Sequence, residues 1–156
     1  MDIKIISIAG SRPKWASSCI DNYKKRFDKT INIDFVNLPP ERRTNKINNI
    51  SKLMQREGAK LIDNTKLKGV NIALDRRGIN WSTEDLYKNF IEWQGRVSTL
   101  NFLIGGADGL SEEVMEKSIK VWSLSSLTLP HAFVPLIILE QIYRVWSISK
   151  NHPYHR

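Results

Sequence analysis

The sequence predicts an α/β domain with a largely parallel sheet. Short apolar, β-branched runs alternate with helical patterns from one end of the chain to the other. No linker, internal repeat or low-complexity tract divides the 156 residues, a length that suits one domain.

Ile3 to Ala9 reads as the first strand, ended by Gly10. A helix is expected from about Lys14. Trp15, Cys19, Tyr23 and Phe27 recur every four residues as its apolar stripe, with Lys24, Lys25 and Arg26 opposite. Ile31 to Leu38 alternates apolar and polar, a second strand that Pro39 and Pro40 stop. Glu41 to Lys46 reads as a polar, basic loop, and Ile47 to Thr65 as a helix with Ile50, Leu53, Met54, Leu61 and Ile62 on its apolar side. Val70 to Leu74 is the third strand, running into Asp75-Arg76-Arg77-Gly78. Ser82 with Asp85 three residues on predicts a capped helix carrying Leu86, Phe90 and Trp93. Leu100 to Ile104 is the fourth strand. Ser111 is placed to cap a short helix whose Glu112 and Glu113 complement its dipole. Val121 to Leu124 reads as a fifth strand and Ala132 to Ser149 as the last helix. Only Glu140, Gln141 and Arg144 interrupt that helix's apolar surface from Phe133 to Trp146, so it must be covered on more than one side. A second copy of the chain is the expected second cover.

Composition narrows the function. Hydrophobic residues make up 41% and charged residues 26%, as in a soluble globular protein. The single Cys19 excludes an intrachain disulfide and any zinc site of two or more cysteines, and fits a reducing cytoplasm. The longest apolar run, Ala132 to Leu139, is too short for a membrane span, and the opening Met1-Asp2-Ile3-Lys4 has no signal-peptide pattern. The net charge is +8, and its basic excess sits early: residues 1–60 hold 13 Lys/Arg against 6 Asp/Glu, residues 61–121 hold 8 against 9. Such a surface either attracts polyanions, above all nucleic acid, or is a solvated basic face kept for solubility.

In parallel α/β folds ligands bind beyond the carboxyl ends of the strands, here the loops after Leu74, Ile104 and Leu124. Gly105-Gly106-Ala107-Asp108-Gly109 suits close approach of a ligand to the backbone. It is not the dinucleotide fingerprint, which needs a glycine where Ile104 stands, and no phosphate-binding G-x-x-x-x-G-K-[ST] loop occurs. Ser123 to His131 alternates hydroxyl residues and leucines but runs into Pro130. It reads either as a loop whose backbone bonds a heteroaromatic ring between leucines or as an edge strand with locally bonded hydroxyls. The ending Asn151-His152-Pro153-Tyr154-His155-Arg156 is rich in stacking and charged groups. Pro153 prevents His152 and His155 from sharing a helix face, and no third metal ligand is evident.

Five stretches together carry a resemblance: Leu74-Asp75-x-x-Gly78, Ile104-Gly105-Gly106-x-x-Gly109-Leu110, Ser123-Leu124-Ser125-x-x-Thr128-Leu129-Pro130-His131, Glu140-Gln141-x-Tyr143-Arg144, and the ending from Asn151 to Arg156. The chain resembles the bacterial pseudouridine N3-methyltransferases of the ribosomal large subunit, a family of the SPOUT superfamily. The resemblance implies a single SPOUT domain over residues 1–156, with a basic part to about residue 70 and a knotted, cofactor-binding part beyond it. It implies a C-terminal trefoil knot, bent S-adenosylmethionine bound within it, and a cytoplasmic homodimer with each site near the subunit interface. The substrate it implies is a pseudouridine in helix 69 of 23S ribosomal RNA, modified on the assembled ribosome, with neither metal nor membrane involved. Its cofactor positions match Leu74, Gly105, Leu124, Ser125, Ser126, Leu127, Thr128 and Leu129. Pro135 stands where the family usually has Arg, so no role carries over there.

Methylation at N3 requires loss of the N3 proton and an in-line geometry. Arg156 and Tyr154 are expected to position the substrate, Arg144 and Arg156 to stabilise the developing anion, and His155 to accept the proton. His131 is expected to fix the cofactor loop. Lys24, Lys25, Arg26, Arg42 and Arg43 are the candidate RNA contacts. Two other functions fit the same residues less fully: a SPOUT enzyme acting on another RNA such as tRNA, and a non-catalytic RNA-binding module.

Overall fold

The computed structural model describes residues 1–43, 49–65 and 69–155. The expected helix start at Ile47, part of the expected basic loop and Arg156 fall outside them. The elements run β1 (Asp2–Ile8), α1 (Lys14–Lys24), β2 (Asn32–Leu38), α2 (Ile50–Asp63), β3 (Gly69–Asn80), α3 (Thr83–Gln94), β4 (Thr99–Ile104), α4 (Glu112–Glu116), β5 (Lys120–Ser123) and α5 (Val134–Ser149), followed by a 3-10 turn at Pro153–His155. The five strands form one sheet in the order β2-β1-β4-β3-β5, every neighbouring pair parallel. The predicted α/β class and parallel sheet are therefore found.

Strand alternation divides the core between the two faces. Ile3 and Ile5 of β1, Leu100 and Phe102 of β4 and Ile72 of β3 pack with α3 and α5. Ile6, Ile8, Leu103 and Ala73 point the other way, onto Leu61 of α2 and Val114 of α4. All six residues of β4 are buried, as a central strand covered on both faces requires.

Four expectations change. The α1 stripe is rotated: Ala16 and Ile20 are its buried residues, whereas Trp15 is 50% exposed and lies 5.2 Å from the ring of Phe133. On α2, Ile50 is 56% exposed, and the buried face is Leu53, Glu57, Gly58 and Leu61. Ser111 stands at the N-cap of α4 but caps nothing, because its buried hydroxyl has no partner among the described residues. Ser82 does close a reciprocal capping box with Asp85 on α3. Finally, α5 is covered largely within one chain, with Ile138, Leu139, Ile142, Val145 and Trp146 in the core cluster. Its all-round apolarity is met by the sheet, α1 and α3, so it does not by itself demand a second copy.

Candidate active site

Three segments at the carboxyl edge of the sheet line a half-open cavity of about 740 Å³. One wall is the end of β3. Leu74 pairs with Trp122, and Ile79 pairs with the same residue, so residues 75–78 loop out between them. A glycine is needed at the return: a Cβ on Gly78 would lie 2.5 Å from the Val121 carbonyl oxygen. Asp75 anchors the loop by accepting from the Arg77 backbone N–H at 2.9 Å and from its Nε at 2.9 Å.

The second wall is the glycine turn after β4. A Cβ on Gly105 would stand 2.5 Å from the Gly109 carbonyl oxygen, and Gly109 has φ +90°. Gly106 and Gly109 bridge, which folds the turn tightly. The turn rests on α2, where a Cβ on Gly106 would meet Glu57 Oε2 at 2.7 Å.

The third wall is the run after β5. The strand ends at Ser123, so the alternating hydroxyl-leucine stretch is loop and not edge strand. Its hydroxyls still bond locally: Ser123 Oγ donates to the Ser125 carbonyl at 3.2 Å, and the Leu127 N–H donates to Ser125 Oγ at 2.9 Å. The cavity brings together Leu74, Gly105, Leu124, Ser125, Ser126, Leu127, Thr128 and Leu129, all eight expected cofactor positions. His131 also lines it. Desolvation at the wall lowers the His131 pKa below the ordinary histidine value, partly opposed by a hydrogen bond to the Ile8 backbone, which keeps the ring neutral near pH 7.

Two ion-pair networks brace these walls, and sequence reasoning missed both. Arg77 bonds Asp75 and reaches Glu112 Oε1 at 3.0 Å, tying the looped segment of β3 to α4. Burial pushes the Asp75 pKa up, but the bonds from Arg77 outweigh it and hold the carboxyl below its ordinary range. On the other side Arg43 bridges Glu57 at 3.2 Å and Asp108 at 2.8 Å, joining the chain after Pro40 to α2 and the glycine turn. Glu57, only 1% exposed, also accepts from the Glu41 N–H at 2.9 Å. The only sequence signal was Glu57 lying on the helix's apolar face.

The expected substrate-handling residues lie elsewhere. After α5, Asn151 takes φ 52°, the Asn151 N–H donates to Ile148 O at 3.1 Å and the His152 N–H to Ser147 O at 2.9 Å. This is a Schellman stop with asparagine in the left-handed position, and it turns the tail back over its own helix. Tyr154 thereby packs its ring 4.7 Å from that of Tyr143. The Tyr154 hydroxyl donates to Glu140 Oε1 at 3.1 Å and meets the Tyr23 hydroxyl at 3.1 Å. Burial and these bonds raise its pKa, so it remains a neutral phenol. Arg144 is paired with Glu140 and lies 5.0 Å from the Tyr154 ring. His155 is exposed. None of Arg144, Tyr154 and His155 lines the cavity of its own chain, and Arg156 lies outside the described residues. Glu140, Tyr143 and Tyr23 complete this cluster, and the sequence assigns none of them a part in substrate handling.

Of the expected RNA contacts, Lys24, Lys25 and Arg42 are exposed. Arg43 is committed to Glu57 and Asp108, and Arg26 bonds Asn22 at 2.8 Å and lies over the Tyr23 ring. Among the described residues no cluster of three His, Cys, Asp or Glu is close enough to hold a metal, and no helix is long and apolar enough to cross a membrane.

A parallel α/β sheet with a glycine-walled cavity beyond its carboxyl edge is the frame of a small-ligand-binding domain. The chain belongs to the SPOUT methyltransferases: the family model described as "Predicted SPOUT methyltransferase" matches residues 1–155. Among its relatives is a protein of Legionella pneumophila strain Paris named ribosomal RNA large subunit methyltransferase H, 40% identical over 156 residues that cover 100% of this chain and 99% of the other. Proteins of the same name from Cupriavidus metallidurans and Marinomonas sp. are 36% and 35% identical, again over 100% of this chain and 99% and 100% of theirs.

Proposed function

We propose that this methyltransferase uses S-adenosylmethionine to methylate N3 of a pseudouridine in helix 69 of 23S ribosomal RNA on the assembled ribosome. The observation that carries the reading is the full-length similarity to proteins named as large-subunit ribosomal RNA methyltransferases, together with a cavity lined by every expected cofactor position. At about 740 Å³ the cavity falls in the ~300–1,000 Å³ range of small-molecule sites. The glycine turn presents bare backbone, and leucines stand beside it to cover a flat ring, so the residues fit the cofactor. When bound, S-adenosylmethionine supplies an electrophilic methyl group on its sulfonium.

The protein's part is positioning and proton removal. Leu74 and Leu124 to Leu129 hold the donor, and the backbone at Gly105 lets it approach. Tyr154, a neutral phenol, stacks and donates rather than acting as base. Arg156 carries the charge that steadies the N3 anion, and His155 accepts the proton. Arg144, compensated by Glu140, chiefly fixes Tyr154.

The reading includes a single domain, a C-terminal trefoil knot and a cytoplasmic homodimer. Cavity and tail are separate within one chain, so a second copy that brings its tail to the first copy's cavity completes the site. The exposed Leu127, Phe133 and Trp15 offer that copy an apolar surface.

The test is tritiated methyl transfer to ribosomes lacking the modification, with isolated subunits and tRNA as controls, alongside calorimetric titration of S-adenosylmethionine. Transfer to ribosomes alone is the expected result. Transfer to tRNA instead would change the target, and absence of saturable donor binding would leave an RNA-binding module.

A further inference from the structure

Four Asp and Arg side chains line the cavity: Asp75, Arg76, Arg77 and Asp108. Three are engaged in networks that each hold two carboxylates on one arginine, Asp75 and Glu112 on Arg77, and Glu57 and Asp108 on Arg43. Asp75 and Arg77 bond each other at 2.9 Å, and Asp108 meets Arg43 at 2.8 Å. Arg76 is different. It is exposed, and no carboxylate lies within ion-pair distance of it among the described residues. Its electrostatic neighbour is Asp75, whose oxygens already accept from Arg77.

We infer that Arg76 is a phosphate-binding residue at the cavity rim, taking a backbone phosphate next to the nucleotide being methylated. This rests on the reading that the chain methylates RNA. The segment 75–78 is braced from two sides: Arg77 ties it to Glu112 of α4 at 3.0 Å, and Gly78 lies tight against the Val121 backbone. A guanidinium held there presents a donor fork suited to a phosphate diester.

The methyl donor is the other anionic source to consider, through its carboxylate. With a sulfonium and an ammonium group, however, the donor carries net positive charge, which the surplus carboxylates of the two networks suit better than Arg76 at the exposed rim does. A base brought to the cavity carries its two flanking phosphates to the rim, where the exposed Arg76 guanidinium has no ion pair among the described residues to give up.

The experiment compares wild type, Arg76→Ala and Arg76→Lys by steady-state methyl transfer to unmodified ribosomes, salt dependence of ribosome binding, and calorimetry with S-adenosylmethionine. For Arg76→Ala, KM for ribosomes should rise roughly tenfold or more, and the slope of log affinity against log salt should become shallower by about 1. The kcat and the donor affinity should change less than about twofold. Arg76→Lys should recover part of the KM and most of the slope, since a point charge still releases counterions but lacks the fork. Wild-type KM and slope in the alanine variant would overturn the assignment. So would weakened donor affinity with unchanged KM, which would give Arg76 to the methionine carboxylate, or a fall in kcat alone. If wild type methylates tRNA and not ribosomes, the proposed target fails while the same comparison on tRNA still decides Arg76. If it methylates no RNA, both readings fall.

Discussion

The cavity wall and the tail cluster solve the problem of holding chain against chain by opposite means. At Gly105 and Gly78 the chain leaves side chains out: a Cβ at either would lie 2.5 Å from a backbone carbonyl oxygen. At Tyr154 the chain fills the space with rings, Tyr143 at 4.7 Å and the hydroxyl of Tyr23 at 3.1 Å. The first kind of contact is stiff, because backbone on backbone has no rotamer to relax into. The second is soft, because each aromatic or hydroxyl can be removed and leave a partner to re-solvate. Loss of function should therefore come apart at the two places: cavity changes should remove donor binding, and tail changes should remove transfer while sparing it.

The largest effect tests that separation. Truncation after Asn151 removes Tyr154 and His155 but no residue that lines the cavity. Methyl transfer to ribosomes is expected to fall by three orders of magnitude or more, roughly the scale of losing a charge-stabilising donor together with a positioning group. Calorimetric affinity for S-adenosylmethionine should stay within about threefold. A matching loss of both would make the tail part of the donor site and erase the contrast. The milder Tyr154→Phe keeps the ring and deletes the bonds to Glu140 and Tyr23, and should cost about 1 kcal/mol in thermal unfolding.

The converse variant is Gly105→Val. The sequence suggested that a side chain there takes the donor's space. The geometry gives a nearer reason, since the first carbon already collides with the Gly109 carbonyl at 2.5 Å and must force the turn open. Donor binding should become undetectable, and unfolding should be easier by about 1–3 kcal/mol. Donor affinity that survives in a folded Gly105→Val protein would detach the turn from the cofactor.

The two regions also differed in how far the sequence revealed them. The cavity was legible because its parts lie at strand ends, and strands announce themselves: the strand expected over Ile3 to Ala9 is found, with Ile3 and Ile5 on one face and Ile6 and Ile8 on the other. The looped-out segment 75–78 was legible only as a break after Leu74, because pairing of Leu74 and Ile79 with one partner residue is a tertiary fact. The tail's composition was legible, but not its direction. That is set by Asn151 in the left-handed region, where glycine would have been the plainer signal. Ion pairs such as Arg43 with Glu57 join residues 14 apart in the chain and have no periodicity to read.

Glu57 sharpens the contrast from beneath. It supports the glycine turn with a side chain, so the stiff region rests on a soft member. Glu57→Ala leaves the Glu41 N–H without its acceptor and Arg43 with Asp108 as its remaining carboxylate, and should cost about 2 kcal/mol of stability, less than a fully buried pair because Arg43 is 34% exposed. Donor affinity should weaken severalfold. Glu57→Gln, which retains an acceptor for the Glu41 N–H, should recover part of both. Equal losses in the two variants would mean that the charge, and not the hydrogen bond, holds the turn.

The smallest expected effect concerns charge inside the stiff wall. His131 has its pKa lowered by desolvation, against a hydrogen bond to the Ile8 backbone. A folded-state pKa below the ordinary value of about 6.5 means that the unfolded chain binds the proton more readily. The contribution to stability is therefore fully present above pH ~6.5 and is lost as pH falls through the folded-state value. The ring is at the rim and solvent-screened, so the slope in chemical denaturation should be shallow and confined to pH below about 6.5. Donor affinity should follow the same direction, because a protonated His131 adds a positive charge to a wall that meets a cationic ligand. His131→Gln should remove both slopes while leaving the values at pH 8 close to wild type. If the acid weakening persists in His131→Gln, the titrating group lies elsewhere, and the cavity wall is electrostatically silent over this range.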